Sequence, residues 1–359
     1  MRIVTTGVFT RAFIGIAACA AFAGCHQYGP GTVQGARLNY NEIINRTSNE
    51  QLLLNLVRLR YRETPFFLEV GSVTTSFQFN SSIGLNGTRD VFFPSSGALG
   101  AAYAERPTIS YSPIQGSKFA KQLLSPISLD TLVLMYHSGW SVERVFLCCV
   151  QMMNGVKNAP SASGPTPDYV PTYREFHSVA AAMRTLQKAG KLEFGALPGK
   201  ERVGLAVHIA QDAWDTDAGR TVAQVLGIEP GRPYYPVTTN GSGRRPDSVG
   251  ITTRSLLGTM FYLSQAVEVP LDDEIAGRVT VTKNSDGSEF DWADVVGKVI
   301  TIRTGAPDNA AVKAHCKGRW FYIADDDLTS KSTFSLIAQL FNLSAGEVRG
   351  AVPLLTIGG

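Results

Sequence analysis

The segment ADDDLTSKSTF, residues 324–334, holds a dense group of side chains suited to chemistry. Three consecutive carboxylates, Asp325, Asp326 and Asp327, follow a predicted strand, and a predicted helix opens with the serines and lysine that come next. Carboxylate oxygens bind Mg²⁺ and Ca²⁺, but the spacing matches neither an EF-hand nor a P-loop. Asp and Ser are also preferred in turns and at helix N-caps. The sequence therefore predicts a turn and an N-cap, with a metal site at the three aspartates as the alternative.

A second candidate is the segment PGRPYYPVTTNGSGRRPDS, residues 230–248, whose proline and glycine content predicts a long loop. It contains Tyr234, Tyr235, Arg244 and Arg245. Aromatic and arginine side chains carry much of the binding energy at protein interfaces. The segment is therefore interpreted as an exposed surface for a partner or a glycan, or else as an ordinary long loop.

Cysteine and histidine usage gives little support for catalysis. Cys148 and Cys149 lie in the apolar helical pattern VERVFLCCVQMM, which predicts buried structural thiols, and either could bond Cys316 in an oxidising compartment. The histidines are scattered and no C-x-x-C occurs, so no metal site is predicted. G-x-S-x-G and S-x-x-K are also absent from the sequence, although a Ser–His–Asp triad that forms only in space stays open.

Residues 66–116 carry the clearest strand pattern in the chain. From Val73 to Leu85 apolar and polar residues alternate almost strictly, and a second alternating run extends from Leu99 to Tyr111. The sequence predicts a long β-hairpin with one apolar face. That face either lies on the protein's own core or joins copies from other subunits in a membrane barrel. In the second case the membrane residues would be Phe77, Phe79, Phe92, Phe93, Tyr103 and Tyr111.

Helical patterns flank the hairpin. Ser48 and Gln51 form a capping box ahead of an apolar face that includes Leu52, Leu53, Leu56 and Leu59. Arg58, Arg60 and Arg62 follow, with Arg60 pointing away from the other two; they are interpreted as a solvated basic edge, or as a site near acidic lipid or a partner. After the hairpin, Ser128 and Ser141 are predicted to cap two helices separated at Gly139.

These elements predict an α+β fold. The expected order is a signal peptide and tether, a long amphipathic β-hairpin with helices, and then a mixed-sheet α/β sandwich lobe. The proline- and serine-rich segment at 158–171 is the predicted lobe boundary. The predicted domains are residues 1–24, 25–37, 38–158 and 172–359.

The N-terminus indicates export. Arg2 and Arg11 accompany a short apolar run, no acidic residue precedes Glu42, and small residues end the run; this pattern is typical of a signal peptide, here residues 1–24. Ala21-Phe22-Ala23 fits ordinary cleavage. Phe22-Ala23-Gly24-Cys25 resembles the lipobox of bacterial lipoproteins.

The lipobox resemblance implies that Cys25 becomes the mature N-terminus and carries diacylglyceryl and N-acyl chains such as palmitate. His26 in place of Asp implies the outer membrane by the same resemblance. Residues 27–34 are then predicted to be a flexible tether. Two further segments, residues 106–127 and 319–341, are similar to parts of uncharacterised proteobacterial envelope proteins, and this similarity implies no activity.

The composition is that of a globular protein with a net charge of +3 and 18% charged residues, which argues against nucleic acid as a partner. No cofactor is expected beyond the covalent lipid on Cys25. The predicted function is an outer-membrane-anchored lipoprotein, facing the periplasm, that acts as a non-catalytic structural or binding component of a cell-envelope assembly. Its expected partners are membrane lipid and envelope proteins, further copies of itself included. The alternatives are an oligomeric pore or export component that uses the 66–116 hairpin, and an envelope hydrolase.

Overall fold

The described chain begins with a 33-residue helix, α1 (Tyr28–Arg60). Pro30 lies in its first turn, where a missing N–H breaks no helical hydrogen bond. The helix therefore includes most of the predicted tether, and the predicted N-cap at Ser48 is wrong because Ser48 lies inside the helix. The hydroxyl of Thr47 donates to the carbonyl oxygen of Ile43 (2.9 Å), so the polar side chain just before Ser48 has its hydrogen bond within the helix.

This computed structural model describes residues 28–86, 96–114, 116–165, 167, 169–197 and 204–346. The predicted α+β class is confirmed. The chain divides into two compact units with a boundary between Glu50 and Gln51. Every strand described below belongs to the second unit. Among the described residues, no helix combines the length and the apolarity that crossing a membrane requires.

The hairpin consists of β1 (Leu68–Asn86) and β2 (Ser96–Pro113), which pair antiparallel as a two-stranded sheet of their own. Their register places Val73 opposite Ile109, and residues directly opposite share one face. A register shift between Val70 and Ser72 makes Gly71 an extra residue on β1. The bulge brings Val70 opposite Tyr111.

A six-stranded mixed sheet forms the centre of the second unit. Its spatial order is β4-β3-β8-β7-β6-β5, and only β7 and β8 pair in parallel. The strands are β3 (Val150–Met153), β4 (Val156–Lys157), β5 (Leu192–Ala196), β6 (Leu205–Ile209), β7 (Tyr235–Thr238) and β8 (Val249–Thr253). Strands from both sides of residues 158–171 pair in this sheet, so the predicted boundary does not separate two lobes.

The proline-rich segment at the predicted boundary is instead tied to the core. Residues 160–163 form a short 3₁₀ turn, and Ala159 and Ala162 are fully buried. The hydroxyl of Thr282 donates to the carbonyl oxygen of Pro167 (2.6 Å). The proline and serine residues here indicate irregular backbone. Because this backbone makes buried contacts, the segment is not a linker between domains.

A smaller three-stranded sheet has the order β10-β11-β9. Its strands are β9 (Arg303–Thr304), β10 (Ala310–Cys316) and β11 (Arg319–Ala324). The segments GRVTVTKNSDGSEF (277–290) and GKVITIRTG (297–305) have sequences that predict strands, but they are mostly irregular, and only β9 and isolated bridges such as Lys283 with Glu289 are formed there. The sheet places the start of the last helix next to the acidic turn.

Helices cover these sheets. They are α2 (Ser117–Leu124), α3 (Leu129–His137), α4 (Val142–Cys149), α5 (Arg174–Lys188), α6 (Asp217–Leu226), α7 (Leu256–Ser264), α8 (Leu271–Ile275), α9 (Ala293–Val296) and α10 (Leu328–Gly346). The predicted N-caps Ser128 and Ser141 are confirmed, since each side chain accepts a backbone N–H of its helix. The helix predicted through Met153 ends at Cys149, because the next residues extend into β3.

A fully buried arginine joins α4, β3 and the 3₁₀ turn. The guanidinium of Arg254 donates from Nε to the hydroxyl of Ser163 (2.9 Å), from Nη1 to the carbonyl oxygen of Val150 (2.7 Å) and from Nη2 to that of Asn158. It also stacks on the Tyr262 ring at 4.1 Å. Burial lowers its pKa to about 10, so Arg254 stays charged at neutral pH.

Candidate functional site

Two amide side chains of α1 hold the chain where it enters the hairpin. Asn55 donates to the carbonyl oxygen of Phe66 (2.8 Å) and accepts its N–H (2.9 Å). Gln51 does the same for Leu68, donating to its carbonyl oxygen at 3.0 Å and accepting its N–H. Residues four apart on a helix lie on one face, so the two amides pair with alternate residues as a neighbouring strand would. We call these four residues the hairpin root.

The apolar face of the hairpin is open near this root. Leu68 is 40% exposed and Tyr111 is 54% exposed. Phe66, just before β1, is exposed as well. Two-stranded hairpins are only marginally stable alone in water. A hairpin with an open apolar base therefore gains stability when a further surface covers it.

The hairpin is also long. Its strands contain 19 and 18 residues, which at about 3.4 Å per residue corresponds to roughly 60 Å. A membrane-spanning strand needs only about 9–11 residues. Of the predicted membrane residues, Phe79 pairs opposite Tyr103 and Phe77 opposite Glu105. The side chains of these residues, and Phe92 and Phe93 altogether, lie outside the described part of the chain, as does Cys25.

The acidic turn is a helix cap. Asp327 accepts the N–H of Ser330 (2.9 Å) and its hydroxyl (2.6 Å), and Asp325 pairs with Lys331 (2.7 Å). Asp326 is exposed. Among the described residues, no group of three or more His, Cys, Asp or Glu side chains is arranged to hold a metal ion. The predicted turn and N-cap are confirmed.

The segment at 230–248 only partly matches the predicted surface. The prediction is wrong for Tyr235, which is 0% exposed and starts β7, with its hydroxyl donating to the carbonyl oxygen of Glu229 (2.5 Å). A strand side chain facing the core explains its burial. Tyr234, Arg244 and Arg245 are exposed.

The three cysteines that the structure describes are free thiols, and two of them are inert. Cys148 and Cys149 are fully buried, and Cys316 is half-buried. Burial raises the pKa of Cys148 to about 12 and also raises that of Cys149, so both stay protonated and unreactive. The disulfide that the sequence allowed is not formed.

A cavity of about 590 Å³ opens at the C-terminal end of α1. Its lining includes Arg60, Gln265, Glu274, Phe290 and Trp292. The volume falls within the roughly 300–1,000 Å³ of typical small-ligand sites. We call it the Arg60 cavity; it is the candidate small-molecule site of the second unit.

Arg60 is the least expected side chain in this cavity, because it is only 9% exposed. Its Nη1 donates to the carbonyl oxygen of Thr280 (3.1 Å) and to Gln265 (3.4 Å), whereas its Nε is buried with no partner. Burial lowers its pKa, and the nearby carboxylate of Glu274 acts in the opposite direction.

A hydrogen-bond network around the buried carboxylate of Asp273 positions Arg60 and Glu274. The hydroxyl of Tyr61 donates to Asp273 (2.6 Å), whose other oxygen pairs with Arg278 (2.5 Å). The Tyr61 hydrogen bond lowers the pKa of Asp273, and burial raises that of Tyr61. Since Tyr61 follows Arg60 and Asp273 precedes Glu274, the network fixes both cavity residues.

The sequence contained one signal for Arg60 that the prediction missed. Leu53, Leu56, Val57 and Arg60 follow the i, i+3, i+4, i+7 spacing of one helix face. The three apolar members are fully buried, and Arg60 continues their face. A charged residue in register with an apolar face indicates a buried polar site, not a solvated edge.

No protein-family model matches the chain, and no curated protein or solved structure is detectably similar to it.

Proposed function

We propose that this chain is a lipoprotein, anchored in the outer membrane through Cys25 and facing the periplasm, that acts as a non-catalytic component of a cell-envelope assembly. The lipobox-like Phe22-Ala23-Gly24-Cys25 supports the anchor. The hairpin supports assembly and is the observation that carries the proposal. Several acyl chains hold a protein firmly on a membrane, at about 0.8 kcal/mol per buried CH₂.

The hairpin is suited to binding another protein. It has an open apolar base at Leu68 and Tyr111 and belongs to neither of the other sheets. Both strands are edges of a two-stranded sheet, and an edge strand offers backbone N–H and C=O groups to a further strand. The hairpin root fixes the start of β1 to α1, so the element is presented from an ordered base.

The anchor is tested by comparing the full-length protein with Cys25→Ser in a Gram-negative host. The unaltered protein is expected in the outer-membrane fraction, with incorporated palmitate. Cys25→Ser is expected to lose the palmitate and to leave that fraction. The lipid anchor would be contradicted if the unaltered protein and Cys25→Ser appeared in the same fractions and neither contained palmitate.

The assembly is tested by light scattering on protein extracted in mild detergent. A double variant, Leu68→Ser with Tyr111→Ser, removes the open apolar base. The matched control is Leu271→Ser with Tyr169→Ser, since these residues are similarly exposed (68% and 57%) and lie outside the hairpin. We expect the mass of the unaltered protein and of the control to exceed that of one chain, and the hairpin variant to be smaller.

The strand length favours an oligomeric pore or export component as a second candidate. Each strand exceeds the length needed to span a bilayer, and one hairpin from each subunit of a ring could complete a barrel. Conductance in planar bilayers tests this candidate. An assembly of defined mass without conductance would contradict the pore and leave the assembly standing.

A further inference from the structure

We propose that the Arg60 cavity binds a small zwitterion with one carboxylate and one ammonium group, such as a free amino acid or a short peptide. The inference is independent of the hairpin and of the lipid anchor. It is based on one buried guanidinium with a nitrogen that lacks a hydrogen-bond partner and on the carboxylates and aromatic rings that line the same cavity.

The guanidinium provides a place for the carboxylate. Among the described residues, Nη1 is the nitrogen of Arg60 that has hydrogen-bond partners. Its Nε is buried without a partner. Within the described part of the chain, neither Nε nor Nη2 has a hydrogen-bond partner, and this edge of a guanidinium is the fork that can bind a carboxylate with two parallel hydrogen bonds.

A carboxylate ligand would also compensate a buried charge. Within the described part of the chain, Arg60 forms no ion pair within 4.0 Å, although Glu274 is near enough to affect its pKa. Burying a charge without a partner is unfavourable. A ligand carboxylate on the fork removes this unfavourable state.

The ammonium end of the ligand would meet the acidic and aromatic residues that line the rest of the cavity. The segment from Glu289 to Trp292 alternates the two types, and all four residues line the cavity. Glu268 adds a further exposed carboxylate to the lining. Carboxylates attract an ammonium group, and the faces of aromatic rings attract cations.

The mixture of charges excludes simpler ligands. The lining contains four carboxylates and two guanidiniums, so a plain anion is repelled by the acidic side chains. A plain cation leaves the fork of Arg60 unpaired. Only a ligand with both charges pairs with both the guanidinium and the carboxylates of the cavity. The volume of the cavity accommodates a single amino acid or a dipeptide.

The test uses the full chain with Cys25→Ser and the probes L-alanine, L-lysine, L-glutamate and L-alanyl-L-alanine, measured by calorimetry and ligand-observed NMR. Each binding probe is compared with its N-acetyl and its C-amide form. We expect at least one zwitterion to bind, and both of its capped forms to bind about tenfold more weakly or worse, since each lacks one charge.

Two variants locate the site. Arg60→Lys keeps the charge but removes the fork, and is expected to weaken zwitterion binding about tenfold. Glu289→Gln changes an exposed residue, and is expected to weaken zwitterion binding by about two- to fivefold. The C-amide form, which keeps only the ammonium group, is expected to show the largest loss of affinity. Asp308→Asn, exposed and outside the cavity lining, is the matched control and is expected to bind normally.

Glu289→Gln keeps the test decisive if Arg60→Lys fails to fold. Three outcomes would overturn the proposal: no probe binds at millimolar concentration, capped forms bind as well as the zwitterion, or Glu289→Gln binds as tightly as the Asp308→Asn control.

Discussion

Replacing Asn55 by leucine should loosen the hairpin root and destabilise the protein by about 2–3 kcal/mol. Asn55 is fully buried and makes two hydrogen bonds, at 2.8 and 2.9 Å, to the backbone of Phe66. Leucine has a similar size, so little cavity forms. Each lost bond leaves a backbone group without its partner, at about 1–1.5 kcal/mol.

Gln51→Leu is the matched variant, because it removes the equivalent pair of bonds to Leu68. Gln51 is half-buried whereas Asn55 is fully buried, so water replaces the lost partners more readily at Gln51 and the expected cost is only about 1 kcal/mol. The free energy of unfolding is measured by urea titration of the Cys25→Ser protein, followed by circular dichroism. Hydrogen exchange at the Phe66 amide should become at least tenfold faster in Asn55→Leu.

The reasoning fails if Asn55→Leu unfolds within about 0.5 kcal/mol of the parent protein and exchanges its Phe66 amide at the parent rate. It also fails if Gln51→Leu is the more costly change. Either result would mean that these amides do not fix the entry of the hairpin. A changed urea m-value would instead indicate an altered unfolded or native state.

Three further predictions concern the core. Arg254→Met should lower the free energy of unfolding by about 3–4 kcal/mol, since Ser163 and the carbonyl groups of Val150 and Asn158 each lose a donor at about 1–1.5 kcal/mol; a loss under 1 kcal/mol in urea titration would contradict this. A thiol reagent at pH 8 should modify Cys316 in the folded protein and leave Cys148 and Cys149 unmodified until urea is added; equal rates would refute their burial. Burial lowers the pKa of His177 to about 4, below about 6.5 in the unfolded chain, so stability should fall as the pH drops from 6.5 to 4. His177→Gln should flatten that decline, and an unchanged profile would show that another group causes it.

The helix caps that the sequence predicted correctly depend on local hydrogen bonds. Ser128 and Ser141 accept an N–H from three residues later, so a few adjacent letters determine each cap. The Asp327 cap of α10 is local in the same way.

The missed features depend on partners distant in sequence. Arg60 lies against Gln265 and Thr280, and Arg254 against the carbonyl groups of Val150 and Asn158. The spacing of Arg60 with Leu53, Leu56 and Val57 indicates that it is buried but does not identify its partners, and the residues beside Arg254 give no comparable signal. The residues after Cys149 were misassigned for a related reason: a short apolar run fits a buried strand as well as a helix, and pairing with β8 decides it.

Light scattering on the detergent-extracted full-length protein, beside the Leu68→Ser/Tyr111→Ser variant, tests the central claim most directly. If the hairpin is the assembly element, the unaltered protein has a defined mass well above that of one chain, and the variant loses it while the Leu271→Ser/Tyr169→Ser control keeps it. A single-chain mass for the unaltered protein, or the same large mass for the hairpin variant, would contradict the account.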